Sequence, residues 1–169
     1  MIIHLSTADF TAMPWANGKG ITVELLRVER EGRLILRLSR AMVVEDGAFS
    51  IFAGIARNLT VLSGSGFDLV GDGLHLPARL LQPVAFPGAV ALRAEGVVQP
   101  SEDFNVMTAA NLPAAQVTVH PAGASSKGAL LALAAGRIGA VSVAQYDLVL
   151  TGEPLLADMP VIAVQAEGL

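Results

Sequence analysis

The chain has no cysteine among its 169 residues, which excludes disulfides, thiolate metal sites and a cysteine nucleophile. Histidine is scarce as well: only His4, His75 and His120 occur, none within four residues of another. A histidine-based metal site needs several imidazoles and a carboxylate converging on one ion. The usual close pair on one strand is missing, so neither a metal nor any other cofactor is expected. Charged residues make up 15% of the chain, and eleven Lys+Arg against fifteen Asp+Glu leave a net charge of −4. With no basic run, binding to nucleic acid or to an anionic membrane is not expected. The longest strongly apolar stretch, Ala129 to Ala135, is too short to span a bilayer. The opening MIIHLSTADF has no basic, apolar or cleavage segment of a secretory signal, so a cytoplasmic location is expected by default. Two catalytic signatures are also missing. No Gly-x-Ser-x-Gly elbow occurs, and Ser63-Gly64-Ser65-Gly66 reads as a turn. Trp15-Ala16-Asn17-Gly18-Lys19-Gly20 lacks the Lys-Ser/Thr ending and the following helix of a phosphate loop.

What the chain does have is 53% apolar residues, punctuated at short intervals by 17 glycines and nine prolines. Few windows between them could hold an amphipathic helix, and the pattern predicts short strands. Strands are expected at Ile21 to Leu26 and Leu34 to Val44, with a turn at Glu31-Gly32 between them. Glu45-Asp46-Gly47 is a hairpin signal ahead of a strand in AFSIF. Further strands are expected in LTVLSGSGFDLVGDGLHL, broken at Gly64, Gly66 and Gly71-Asp72-Gly73, and at Phe104 to Thr108 and Ala115 to His120. Pro83 and Pro87 point to edges, bulges or strand ends. ALLALAAGRI reads equally as a short helix or a buried strand pair, and one helical turn is expected near Ser6 to Phe10. Many short strands separated by turns mean a sandwich or a barrel. A faint internal echo links VLSGSGFDLVGDGLHLP with LLALAAGRIGAVSVAQYDLVLTGEP, as two small fused barrels would produce.

Polar residues in apolar surroundings carry the chemistry. Arg37 and Ser39 share a face of LILRLSRAMVV, Arg57 precedes LTVL, and Asp103 and Asn105 share a face around FNVM. A buried arginine must be paired with an acid or serve an anionic ligand. Two readings follow: an arginine pair facing Asp and Asn in a barrel mouth that takes a carboxylate or amide, or an internal Arg37–Asp103 or Arg57–Asp103 ion pair. The loop at Trp15 to Gly20 is either a turn needing unusual backbone angles or a wall that brings Trp15 and Asn17 to a small ligand.

At these residues the sequence resembles the HutD/Ves family of bacterial proteins. MPWANGKGITVEL, LRLSRAMVVEDGAFSIFAGIARNLTVLSGSGFDL, AFPG and EDFNVMT follow that family's motifs in order, from about Met13 to Thr108. Lys19 stands where the family loop has glycine, and Ala89 where an aspartate is expected. The resemblance implies an all-β fold of double-stranded β-helix cupin barrels, a bicupin with little helix, with approximate halves 1–100 and 101–169. It implies no established catalysis, and instead binding of a small anionic metabolite in histidine utilisation, such as urocanate or a formyl- or formimino-glutamate. The ligand-binding residues would be Trp15, Asn17, Arg37, Ser39, Arg57, Asp103 and Asn105. Alternatives are a metal-free isomerase, lyase or hydrolase using Asp103 or Glu24 as base, and a stress-related interaction module. Exposed sheet edges and high apolar content admit a homodimer.

Overall fold

The structure, a computed structural model, describes residues 1–15, 18 and 20–169. Its described residues form β-strands with a single three-residue 3-10 turn, Thr7–Asp9. That turn is closed by Ser6 and Asp9, since the Asp9 carboxylate accepts the Ser6 N–H at 2.9 Å. The fold is all-β and of cupin type, as expected. It divides into two compact units. One is Thr11–Ala114, and the other joins Met1–Phe10 to Ala115–Leu169.

The terminal unit holds β1 (Ile2–Leu5), and the central unit begins with β2 (Thr11–Pro14), β3 (Ile21–Arg30) and β4 (Arg33–Val43). It continues with β5 (Gly47–Ala48), β6 (Ile55–Ser63), β7 (Phe67–Gly71), β8 (Leu74–Ala78), β9 (Val84–Pro87), β10 (Arg93–Glu95) and β11 (Ser101–Ala109). A six-stranded sheet runs β2-β3-β4-β11-β6-β9, and a four-stranded sheet runs β5-β10-β7-β8. In the central unit the strand prolines obey the edge rule. Pro14, Pro77 and Pro87 lie in β2, β8 and β9, the outermost strands of their sheets, where a missing N–H breaks no ladder. Glu31 and Gly32 both take positive φ, 52° and 73°, in the tight turn between β3 and β4.

One expected element differs. The AFSIF strand stops at Ala48, and β5 pairs with β10 instead of folding back on β4. Asp46 explains the departure, because its carboxylate accepts the N–H groups of Val97 at 2.8 Å and Gly96 at 3.2 Å. The chain is thereby tied to the segment after β10. Beyond Ala48, the backbone bonds of Phe49 and Phe52 go to Leu92 and Gly88.

The remaining strands of the terminal unit are β12 (Gln116–His120), β13 (Ser125–Ala132), β14 (Gly136–Ile138), β15 (Val141–Val143), β16 (Leu148–Leu156) and β17 (Val161–Gln165). They form a five-stranded sheet, β1-β16-β13-β17-β12, and the β14–β15 hairpin. ALLALAAGRI is thus strand and hairpin, not helix. Leu130 and Leu131 are both fully buried because β13 is paired on both sides, with β16 and β17. The two units repeat one topology. The chain-ordered strands β4, β6, β9, β11 stand side by side as first-fourth-second-third, and β12, β13, β16, β17 do the same. A hairpin, β7–β8 or β14–β15, separates the second strand from the third each time. The faint sequence echo falls on these equivalent segments.

The unit cores differ in what they leave open. In the terminal unit, Leu130, Ile138, Val149, Met159 and Val161 pack one apolar cluster. In the central unit, Leu59, Val61, Phe67, Leu69, Phe86 and Leu92 form the core. Full burial of a side chain such as Phe67 or Leu69 contributes roughly 1.5–3 kcal/mol. The alternation of β4, β6 and β11 places Arg37, Ser39, Ala41, Val43 and Arg57, Leu59, Val61 and Asp103, Asn105, Met107 on one shared face. One end of that face is apolar core, and the other is polar.

Candidate functional site

The polar end lines a cavity of about 650 Å³ that lies wholly within the central unit. Register sets its floor. Arg37, Met107 and Arg57 sit opposite one another in one row across β4, β11 and β6. Ser39, Asn105 and Leu59 make the next row, and Ala41, Asp103 and Val61 the third. Trp15, Thr22, Glu45, Asp46, Phe49 and Phe52 contribute to the walls. Of the seven residues expected to bind ligand, Trp15, Arg37, Ser39, Arg57, Asp103 and Asn105 all line this cavity. Asn17, and the departure at Lys19, lie outside the described residues.

Arg57 is the centre of the site. It is 8% exposed, and its Nη1 donates to the Ser50 carbonyl and its Nη2 to Asn105 Oδ1, both at 3.2 Å. Its Nε is buried with no hydrogen-bond partner among the described residues. The guanidinium carbon lies 5.5, 5.2 and 5.0 Å from the ring centres of Phe49, Phe52 and Phe86, within cation–π range. Burial pulls its pKa down to about 10, opposed by Asp103 and reinforced by Arg37, so it remains a cation at neutral pH.

Neither of the internal ion pairs that the sequence allows is what holds the arginines. Arg37 donates from Nε to Glu24 Oε2 at 2.6 Å. Glu24 is engaged there and is not one of the cavity-lining residues. Arg57 reaches Asp103 only through Asn105, whose Nδ2 donates to Asp103 Oδ1 at 2.5 Å. Asp103 is 2% exposed, and burial pushes its carboxyl up to about 7, against the lowering effects of Asn105 and Arg57. At the rim, Trp15 donates from Nε1 to Thr22 Oγ1 at 2.9 Å. The ring lies flush on Gly20, where a Cβ would come within 2.8 Å of it. That contact explains the glycine.

Sequence reasoning misses the three phenylalanines around Arg57. A strand through AFSIF would point Phe49 and Phe52 to opposite or unrelated partners, not around one cation. The signal for an enclosure is the aromatic spacing itself, since Phe49, Phe52 and Phe86 are half of the six phenylalanines in the chain. The histidines serve elsewhere. His4 Nε2 meets Asp147 Oδ2 at 2.8 Å, and His75 Nε2 meets Asp68 Oδ2 at 2.6 Å. Among the described residues no three His, Asp or Glu side chains group to hold a metal ion. No helix among them is long and apolar enough to cross a membrane.

The family model described as HutD matches residues 7–159. The chain belongs to the HutD family. Two curated relatives match over part of their length. A Pseudomonas putida protein described as an uncharacterized 21.2 kDa protein in the hutC 3′ region is 40% identical over 110 residues, covering 62% of this chain and 57% of that protein. Protein Ves of Escherichia fergusonii is 34% identical over 117 residues, covering 66% and 61%. The chain therefore spans about three-fifths of the length of these relatives. The structure of HutD from Pseudomonas fluorescens SBW25 superposes with a TM-score of 0.84 at 27% identity, covering 99% of this chain and 100% of that one. That superposition takes in residues of both units of this HutD-family chain.

Proposed function

We propose that this HutD-family protein binds a small anionic metabolite of histidine utilisation in the central cavity, with Arg57 holding the ligand's carboxylate. The link to histidine utilisation is supported by the family and by the relative in the hutC 3′ region. The observation that carries the ligand class is the state of Arg57. It is a buried cation that donates to two neutral oxygens and whose Nε has no partner among the described residues. Burying a charge is costly unless an opposite charge or strong hydrogen bonds compensate it. A carboxylate entering the cavity would supply both, in a charge-assisted pair. Calorimetry with urocanate, formimino-glutamate and formyl-glutamate tests this. At least one should bind, and Arg57→Ala should weaken it by about a hundredfold, the scale of removing a buried charged contact. Folded protein that gives no heat with any of the three refutes the ligand class.

A second reading, a metal-free enzyme, is favoured by one observation: the Asp103 carboxyl, held up to about 7 inside the same cavity. A carboxyl near neutral pKa can accept and return a proton at working pH. Turnover of one of these acids, lost in Asp103→Asn while binding persists, would establish it. Absence of turnover in all three at pH 7 would leave the binding reading alone.

A further inference from the structure

The network Arg57–Asn105–Asp103 has a direction. Arg57 donates to Asn105 Oδ1, and Asn105 donates from Nδ2 to Asp103 Oδ1. The Asn105 amide is thereby fixed with its oxygen toward the cation and its nitrogen toward the acid. Asp103 and Met107, the row-mate of Arg57, are four residues apart on β11, roughly 13 Å along an extended strand. The long Arg57 side chain closes all of this but the width of one asparagine. The cavity therefore has a cationic pole at Arg57 and an acceptor pole at Asp103. Asp103 receives the Asn105 amide and the Ala41 backbone N–H, yet a carboxylate can accept about four hydrogen bonds. Acceptor capacity is left over, beside the cavity that Asp103 lines.

We propose that Asp103 is a specificity-determining residue: it makes the cavity select acids that carry an N–H donor on the group remote from the carboxylate. This rests on the assignment of the carboxylate to Arg57. A ligand with a carboxylate at one end and an N–H at the other satisfies both poles. An acid with an apolar or acceptor-only tail leaves Asp103 short of a donor, and a dicarboxylate such as formyl- or formimino-glutamate fits only with its N–H, not its second carboxylate, toward Asp103. Sites built to hydrogen-bond a ligand group reject analogues that lack it, because their own buried groups are left unpaired. The charged groups around Asp103 sharpen the effect. Arg57 on β6 favours its ionised form, Glu102 on its own strand opposes it, Arg37 on β4 is paired with Glu24, and Glu45 and Asp46 line the same cavity.

A matched pair of probes tests the proposal by calorimetry on the full chain: 3-(imidazol-4-yl)propenoate, which has a ring N–H, and 3-(furan-2-yl)propenoate, which has none. Propanoate serves as a carboxylate-only probe of Arg57. At pH 8 the imidazole acid should bind about tenfold or more tightly than the furan acid, the ratio set by one hydrogen bond to a charged group. Asp103→Asn should bring the ratio within about threefold while the furan acid keeps or improves its affinity, since a like charge is gone. In the wild type, furan acid affinity should fall about three- to tenfold from pH 6 to pH 8 as Asp103 ionises beside the bound anion. That profile needs no variant, so it decides the matter even if Asp103→Asn fails to fold. Equal affinities for the two ring acids at pH 8, or a furan affinity flat with pH, would overturn the proposal while leaving the Arg57 assignment intact. If neither ring acid nor propanoate binds, the Arg57 assignment fails and this proposal fails with it.

Discussion

Asp103 carries the largest consequence of any single residue, because its carboxyl titrates at about 7 in the folded protein against an ordinary 3.8. Between those values the folded state holds a proton that the unfolded chain has released. Stability therefore declines as pH rises from about 4 to about 7, and levels off above that. The loss is on the order of a few kcal/mol across the window. Asp46 and Asp68 shift the other way, held below the usual range by backbone N–H groups and by His75 with Arg79. Their contributions are complete above the ordinary carboxylate range and are lost only as pH falls below it. Urea denaturation of the wild type from pH 5 to pH 8 should show falling stability, and Asp103→Asn should flatten the trend and be more stable at pH 8. A variant that tracks the wild type across the range would show that Asp103 is already ionised at pH 5. Arg57 offers the complementary test of what the phenylalanines do. Arg57→Lys keeps the charge but loses the planar fork and the fit to the three ring faces. Carboxylate binding should weaken about tenfold, less than in Arg57→Ala. Equal losses in the two variants would mean that shape, not charge alone, fixes the ligand. Arg57 was legible from sequence as a cation at the head of an apolar strand, and Asp103 and Asn105 as period-two neighbours. Their connection through the asparagine amide was not legible, because it depends on the register of β6 against β11, which sequence spacing does not set.

At the scale of elements, the strands were legible wherever turn chemistry and alternation agreed. Glu31-Gly32 lies between strands as expected, and Gly71-Asp72-Gly73 ends β7 and turns into β8. The AFSIF reading that failed and the ALLALAAGRI reading left open between helix and strand were both decided by contacts far along the chain: Asp46 with Gly96 and Val97, and β13 with β17. The same distinction, local conformation against distant contact, separates two glycines. Gly32 has φ of 73° with open space where a Cβ would stand, so alanine there meets only backbone strain. Gly128 has φ of 104°, and an alanine Cβ would lie 2.1 Å from the Val164 carbonyl oxygen. It sits at a register shift in β13, where that strand approaches β17. Gly32→Ala should cost about 1 kcal/mol, and Gly128→Ala at least about 2–3 kcal/mol, because strain and a backbone clash add. Chemical denaturation of both variants would check the order. Equal costs would mean that β13 relaxes away from β17 without loss.

For the whole molecule, the notable feature is that the first strand of the chain belongs with the last ones. β1 pairs with β16 through Ile2↔Thr151 to Leu5↔Leu148, and His4 bonds to Asp147 at 2.8 Å. Nothing local in MIIHL shows this, since both residues of each pair are more than 140 positions apart in the sequence. The shared first-fourth-second-third strand order was only hinted at by the glycine spacing, because the two units share strand order and not residue identity. Every cavity-lining residue, by contrast, lies in the central unit. These two facts make separable predictions for a chain lacking Met1–Leu5. Its β16 edge would lose its partner and expose a row of unpaired N–H and C=O groups, a template for pairing with another chain. The melting temperature should fall, and sedimentation should show self-association that increases with concentration. Carboxylate binding that depends on Arg57 should persist, since no cavity residue has been removed. A truncated chain that stays monomeric with an unchanged melting temperature would show that β1 adds nothing to the sheet. Loss of binding in a truncated chain that still melts cooperatively would show that the cavity depends on more than the residues that line it.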